Sequence, residues 1–100
     1  MDAGGLYMTE VKYFHIQGCP YCAQADKAIK ELQEEDKRYE AVKFDRVDEM
    51  EHPEIADQYD YQATPAMFLN HEKVYESHLG ETYDEAKAHV REVLEAALRG

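Results

Sequence analysis

Two cysteines three residues apart are the residues of this chain best suited to chemistry. They lie in the segment Cys19-Pro20-Tyr21-Cys22, and the chain has no other cysteine. The thiolate is the nucleophile in thiol–disulfide exchange, and a free thiol titrates near pH ~8.5, so a protein that uses one at neutral pH must stabilise the anion. The spacing therefore predicts an exchange reaction in which one sulfur attacks a disulfide and the other completes the transfer.

The flanking sequence places this pair where a strand gives way to a helix. Residues 11–16 are apolar and aromatic enough for a buried strand, and residues 23–35 have helical spacing. Pro20 suits the first helical position, which makes Cys19 the N-cap, where free backbone N–H groups and the positive end of the helix dipole meet its sulfur. Cys22 follows one turn later on the same face. We predict that Cys19 attacks and that Cys22 resolves the mixed disulfide.

Two other interpretations of the cysteines remain open. They could be ordinary core residues, because a free cysteine packs as a small hydrophobe. They could also form half of a zinc site with some of the five histidines, which are His15, His52, His71, His78 and His89. A zinc site normally shows a second C-x-x-C or an H-x₃₋₅-H pair, and no histidine pair here has that spacing. The sequence therefore predicts neither a metal site nor a bound cofactor.

Composition and charge limit the class of protein. One hundred residues, 44% of them hydrophobic, can form one domain with a core that needs no disulfide staple. A net charge of −11 argues against nucleic acid and anionic membrane surfaces as partners. No signal peptide or membrane-spanning run is predicted, so we expect a cytoplasmic protein with a flexible leader at 1–8 and a domain at 9–100.

Hydrophobic periodicity and turn residues predict an α/β domain. The expected order is β-α-β-α-β-β-α, with strands at residues 10–15, 39–45, 66–69 and 73–78 and helices at 20–35, from 53 and from 83. The crossover after the first strand makes the second strand parallel to it, whereas a hairpin joins the last two strands. The expected structure is a four-stranded mixed sheet with helices on both faces.

This order resembles the thioredoxin fold. Cys-Pro-Tyr-Cys follows the first strand and Thr64-Pro65 precedes the third, and the resemblance covers residues from about 10 to 98. The quartet itself is similar to that of glutaredoxins. The resemblance implies that Pro65 is cis and faces the sulfurs, that the backbone of Thr64 pairs with an extended substrate, and that Tyr21 also contacts substrate.

The chain departs from both families at positions that matter for the chemistry. Glutaredoxins usually carry Lys or Arg three residues before the first cysteine, and here that residue is Ile16. Their Gly-Gly-x-Asp before the last helix corresponds to Leu79-Gly80-Glu81-Thr82, which lacks one glycine and the aspartate. Thioredoxins carry a buried acid six residues before the first cysteine, and here that residue is Tyr13.

The sequence therefore predicts a cytoplasmic dithiol oxidoreductase of the glutaredoxin-like type. It would reduce protein disulfides through a mixed disulfide at Cys19, which Cys22 resolves. Electrons would come from a thioredoxin-reductase-type enzyme or from glutathione, with no cofactor bound. The partners expected are disulfide-containing proteins and a reductase. A glutathione-dependent glutaredoxin that removes glutathione from proteins and a redox-inactive interaction module remain as alternatives.

Overall fold

A computed structural model describes residues 9–100, and the predicted leader at 1–8 lies outside the described residues. The chain forms four strands, β1 to β4, at Val11–His15, Phe44–Asp48, Ala66–Leu69 and Glu72–Glu76. Three α-helices, α1 to α3, lie at Pro20–Glu35, Pro53–Ala56 and Tyr83–Arg99, and a 3-10 helix lies at Lys37–Ala41. Apart from the 3-10 helix, this is the order predicted from the sequence.

The strands form one mixed sheet in the order β2-β1-β3-β4. β1 pairs with β2 in parallel, whereas the β1–β3 and β3–β4 pairs are antiparallel. The hairpin turn between β3 and β4 has positive φ at Asn70 and His71, as two-residue turns that match the strand twist require. The predicted mixed four-stranded sheet is confirmed.

The alternation of side chains along the strands divides the core into two layers. Tyr13 and Met67 face α1 and α3, whereas the neighbouring Phe14 and Phe68 face the short helix α2. The predicted core face of α1 is confirmed, because its buried residues are Cys22, Ala25, Ala28, Ile29 and Leu32. Helices therefore cover both faces of the sheet. The two cysteines follow the C-terminal end of the central strand β1.

The predicted second strand at 39–45 is wrong for most of its length. Residues 37–41 form the 3-10 helix, and β2 begins only at Phe44. The Asp36 carboxylate accepts a hydrogen bond from the N–H of Arg38 and thereby caps this turn. Tyr39 and Val42 are buried, and their three-residue spacing puts both on one side of a 3-10 turn, whereas in a strand they would face opposite ways. Burial in the tertiary structure therefore determined the secondary structure of this segment, because its local hydrophobic pattern is weak.

The start of α3 carries the capping box predicted from Thr82 and Glu85. The Thr82 hydroxyl accepts from the N–H of Glu85 at 3.1 Å, and the Glu85 carboxylate accepts from the N–H of Thr82 at 2.9 Å. Two backbone donors at the helix end are therefore satisfied by side chains.

We predict that Thr82→Ala lowers the free energy of unfolding by about 1 kcal/mol, because one end of this reciprocal pair is lost. Urea unfolding followed by circular dichroism measures the change. Thr82→Ser keeps a hydroxyl and is the matched control, so it should lose much less. Equal losses in the two variants would show that the hydroxyl does not stabilise the helix.

Candidate active site

Cys19 is the N-cap residue of α1, as the sequence predicts. Its backbone is extended, and its sulfur accepts a hydrogen bond from the N–H of Cys22 at 3.1 Å. Pro20 occupies the first turn, where its missing N–H leaves no donor unsatisfied. Gly18, with φ +74°, allows the chain to turn sharply from β1 into the helix. The helix therefore directs a free backbone donor at the first sulfur.

Cys22 lies behind Cys19 and is only 5% exposed, whereas Cys19 is partly exposed. Both are free thiols. Burial and the hydrogen bond with Cys19 raise the pKa of the Cys22 thiol to about 12. At neutral pH Cys22 is therefore a protonated thiol, and a disulfide arriving from solvent meets Cys19 first.

Thr64 lies directly beside Cys19, although 45 residues separate them in the chain. The sulfur is 3.6 Å from the Thr64 carbonyl oxygen and 3.5 Å from its hydroxyl oxygen. The Ser77 hydroxyl also donates to that carbonyl, at 2.7 Å. The Thr64–Pro65 bond is cis, as the resemblance implies, and Pro65 is fully buried. Three of the residues predicted from the sequence, Cys19, Thr64 and Pro65, thus meet at one point.

Tyr21 connects the cysteine motif to the loop between β4 and α3. Its hydroxyl accepts a hydrogen bond from the N–H of Gly80 at 2.6 Å. In the same loop, the backbone carbonyl of Glu81 accepts from the Gln24 side chain at 3.2 Å. The Tyr21 hydroxyl, predicted to contact substrate, therefore already accepts a hydrogen bond from the protein's own backbone, and its O–H group is still able to donate one to a ligand.

An open cleft runs along the outer side of the cysteines. It is lined by His15, Ile16, Gly18, Cys19, Pro20, Cys22, Ala23 and Asp26.

Within residues 9–100, no cluster of three or more histidine, cysteine or acidic side chains could hold a metal ion. Among the same residues, no helix has both the length and the apolar character to cross a membrane.

Two buried tyrosines are each hydrogen-bonded to a carboxylate, and the first of them, Tyr13, contacts Cys22. The Tyr13 hydroxyl is 2.8 Å from an Asp26 oxygen and 3.3 Å from the carbonyl of Cys22. Arg46 pairs with that same Asp26 oxygen at 3.0 Å, and its guanidinium lies over the Tyr13 ring. Tyrosine thus occupies a position where the resemblance would place an acid, and the acid comes from α1 instead.

The second buried tyrosine is Tyr75, whose hydroxyl donates to Glu81 Oε1 at 2.6 Å. Burial, the bond with Glu81 and the negative charge that Cys22 or Cys19 carries as a thiolate all raise the pKa of Tyr75. Sequence reasoning missed this pair. The helical spacing of Cys22 and Asp26 could have pointed to Asp26, but no local pattern links Tyr75 or Glu81 to the cysteines.

The chain belongs to the thioredoxin domain family, whose model matches residues 9–95. A search of the curated proteins found none that matches. Among solved structures, one described as a malarial protein superimposes with a TM-score of 0.58 at 16% identity, covering 85% of this chain and 96% of that one. Human ERp44 in a zinc-bound form superimposes with a TM-score of 0.53 at 19% identity, covering 91% of this chain. This chain spans only 28% of the ERp44 chain, and both likenesses show the fold alone.

The unequal environments of the two thiols predict ordered alkylation. Iodoacetamide at pH 7 to 8 should modify Cys19 and leave Cys22 free, because Cys22 is buried and protonated in this range. Peptide mass spectrometry identifies the modified residue. In Cys19→Ser, modification of Cys22 should be slow and should accelerate as the pH rises toward the Cys22 pKa. Earlier modification of Cys22 than of Cys19 would contradict the site geometry.

Proposed function

We propose that this protein is a dithiol thiol–disulfide oxidoreductase that reduces disulfides in other proteins. The observation that carries the proposal is the pairing of a partly exposed sulfur at a helix N-terminus with a buried sulfur one turn behind it. The family and the cysteine pair together fit thiol–disulfide exchange. The direction of transfer, the substrate and the electron donor are the parts that we add.

The proposed reaction has two steps. A thiolate at Cys19, stabilised by the Cys22 N–H and the Thr64 hydroxyl, attacks a substrate disulfide and forms a mixed disulfide while one substrate thiolate leaves. Cys22 then attacks Cys19, forms the internal disulfide and releases the second substrate thiol. Two electrons pass from the two protein thiols to the substrate. A reductase restores the thiols, and we propose the cytoplasm as the setting, since thiols are kept reduced there.

An extended polypeptide is the proposed substrate. The backbone of Thr64, beside Cys19 at the cis-Pro65 corner, is the proposed pairing edge for it. Leu79 is 93% exposed and adjoins Gly80, which bonds to Tyr21. An apolar side chain that is open to solvent next to the cysteine motif suits a protein surface as partner.

A disulfide-reduction assay tests the proposed function. With dithiothreitol as donor, the wild-type protein should accelerate the precipitation of insulin B chains, and Cys19→Ser should abolish the acceleration. Cys22→Ser should retain the first step and accumulate mixed disulfides that non-reducing gels detect. Wild-type protein no faster than Cys19→Ser would support the alternative of a redox-inactive module.

Glutathione is the rival electron donor, since the Cys-Pro-Tyr-Cys quartet resembles that of glutaredoxins, but the surrounding charges fit it poorly. Ile16 lines the cleft where a cation would be needed for the carboxylate of the tripeptide. Lys12 does not compensate, because its ammonium pairs with Asp45 at 2.5 Å. Glu81 is buried against Tyr75 and does not present its charge to an incoming amino group. The net charge of −11 also disfavours an anionic ligand.

We predict that glutathione is a poor electron donor for the wild-type protein and that Ile16→Lys raises the turnover with glutathione. A charge-assisted contact of ~1.5–3 kcal/mol corresponds to roughly ten- to a hundredfold in binding. Turnover of a glutathionylated peptide with glutathione and glutathione reductase measures the gain. Ile16→Gln adds polarity without charge and should change nothing. Efficient turnover by the wild-type protein would restore the rival, glutathione-dependent function.

A further inference from the structure

The backbone carbonyl of Thr64 would by itself favour a protonated Cys19. Its oxygen lies 3.6 Å from the Cys19 sulfur, within reach of a hydrogen bond from the S–H group. A thiol gains from this bond, whereas a thiolate would face the negative end of the carbonyl dipole. A hydrogen bond made only by the neutral form of a group opposes its ionisation. The carbonyl therefore works against the thiolate that the exchange reaction needs.

The Ser77 hydroxyl contacts the same carbonyl oxygen and offsets this effect. It donates to the Thr64 oxygen at 2.7 Å, and the serine is only 5% exposed. The backbone N–H of Ser77 also donates to the Pro65 carbonyl at 3.0 Å, which fixes the residue in place. A hydroxyl is a better donor than a thiol, so it competes with the Cys19 S–H for this oxygen. The positive end of the O–H dipole also reduces the negative charge that a thiolate would meet.

A β-bulge brings Ser77 to this position. Strand β4 contains one extra residue, Val74, relative to its partner β3. If the register at the hairpin turn continued without it, Glu76 would lie opposite Pro65, but with the bulge Ser77 takes that place. Bulges beside active sites often redirect a side chain in this way. Here the bulge puts a neutral hydroxyl where a carboxylate would repel a thiolate.

We propose that Ser77 is a positioning residue for the nucleophile, whose hydroxyl engages the Thr64 carbonyl so that Cys19 releases its proton to solvent and reacts as a thiolate. The Cys22 N–H, at 3.1 Å, and the Thr64 hydroxyl, at 3.5 Å, then donate to the anion. Ser77 acts through the carbonyl and takes no part in bond making. This assignment rests on the proposed function, because it concerns the sulfur that attacks in that reaction.

The ionisable groups around Cys19 come from three elements. His15 at the end of β1 and Asp26 of α1 line the same cleft, and Asp26 is held in an ion pair. Burial keeps Cys22 protonated at neutral pH. Burial, the bond to a carboxylate and the charge of the cysteine thiolates raise the pKa of Tyr75 on β4, so this phenol also stays neutral. Replacing a serine changes no charge among these groups, and a shift in Cys19 reactivity would therefore report the lost hydrogen bond.

The pH dependence of alkylation tests this assignment. In a Cys22→Ser background Cys19 is the only thiol, and the rate with iodoacetamide reports its thiolate fraction at each pH. Ser77→Ala should raise the midpoint by roughly 0.5 to 1 pH unit, about a three- to tenfold loss of thiolate, because one neutral hydrogen bond is removed. Ser77→Thr keeps the hydroxyl and should keep the midpoint.

The rate at high pH distinguishes this role from a structural one. Above the midpoint, Ser77→Ala should react no more slowly than the background protein, because Cys19 is then ionised in both. Slower reaction at every pH with an unmoved midpoint would show that the serine only supports the fold, and would overturn the proposal. Tyr39→Phe removes a hydroxyl bond to Glu95 beyond the C-terminal end of α1 and should match the background protein.

The test does not depend on the folding of one variant or on turnover. A background midpoint at or above that of a free thiol, about pH 8.5, would overturn the proposal even if Ser77→Ala did not fold. Alkylation needs no substrate disulfide, so the two proposals can fail separately. A shifted midpoint without insulin reduction by the wild type would support the role of Ser77 and refute the proposed function. Insulin reduction with an unmoved midpoint would refute the role of Ser77 alone.

Discussion

The site depends on one hydrogen bond, in which the N–H of Cys22 donates to the sulfur of Cys19 at 3.1 Å. A sulfur in place of the usual oxygen caps α1, so the helix start and the position of the nucleophile are the same structural feature. Cys22 lies one helical turn after Cys19 and is buried. One sulfur is thereby partly exposed and the other buried, and this difference is the basis of the order of attack that we propose.

Tyrosine hydroxyls donate hydrogen bonds to several of the carboxylates of this protein. The chain has 22 acidic residues and 11 lysines and arginines, so half of the carboxylates have no cation available. Of the seven tyrosines within residues 9–100, five donate to a carboxylate, in the pairs Tyr13–Asp26, Tyr39–Glu95, Tyr61–Glu49, Tyr75–Glu81 and Tyr83–Glu31. Burial, followed by the carboxylate bond, raises the pKa of Tyr13, Tyr61 and Tyr75. Because the folded state holds these phenols protonated, their contribution to stability is present at neutral pH and is lost as the pH rises into the alkaline range.

Most of the fold was predictable because helices and strands that bury one whole face show a strong hydrophobic pattern in the sequence. The strand at Ala66–Leu69, the core stripe of α1 and the capping box of α3 are local in origin and are confirmed. The strand predicted at 39–45 failed because the alternation along this segment is weak, and the three-residue spacing of Tyr39 and Val42 fits a 3-10 turn rather than a strand. Packing of Tyr39 against α3, with its hydroxyl on Glu95, decided between them.

By itself the sequence determined the motif, the cap and which of the two sulfurs lies at the helix N-terminus, since a proline after Cys19 and helical spacing to Cys22 act within one turn of chain. Tertiary structure alone decided what surrounds them. Thr64 reaches Cys19 across 45 residues, and the Tyr75–Glu81 pair comes from β4 and the loop that follows it. Asp26 pairs with Arg46, whereas Glu81 is buried against Tyr75, and both outcomes depend on contacts between distant segments that no local pattern encodes.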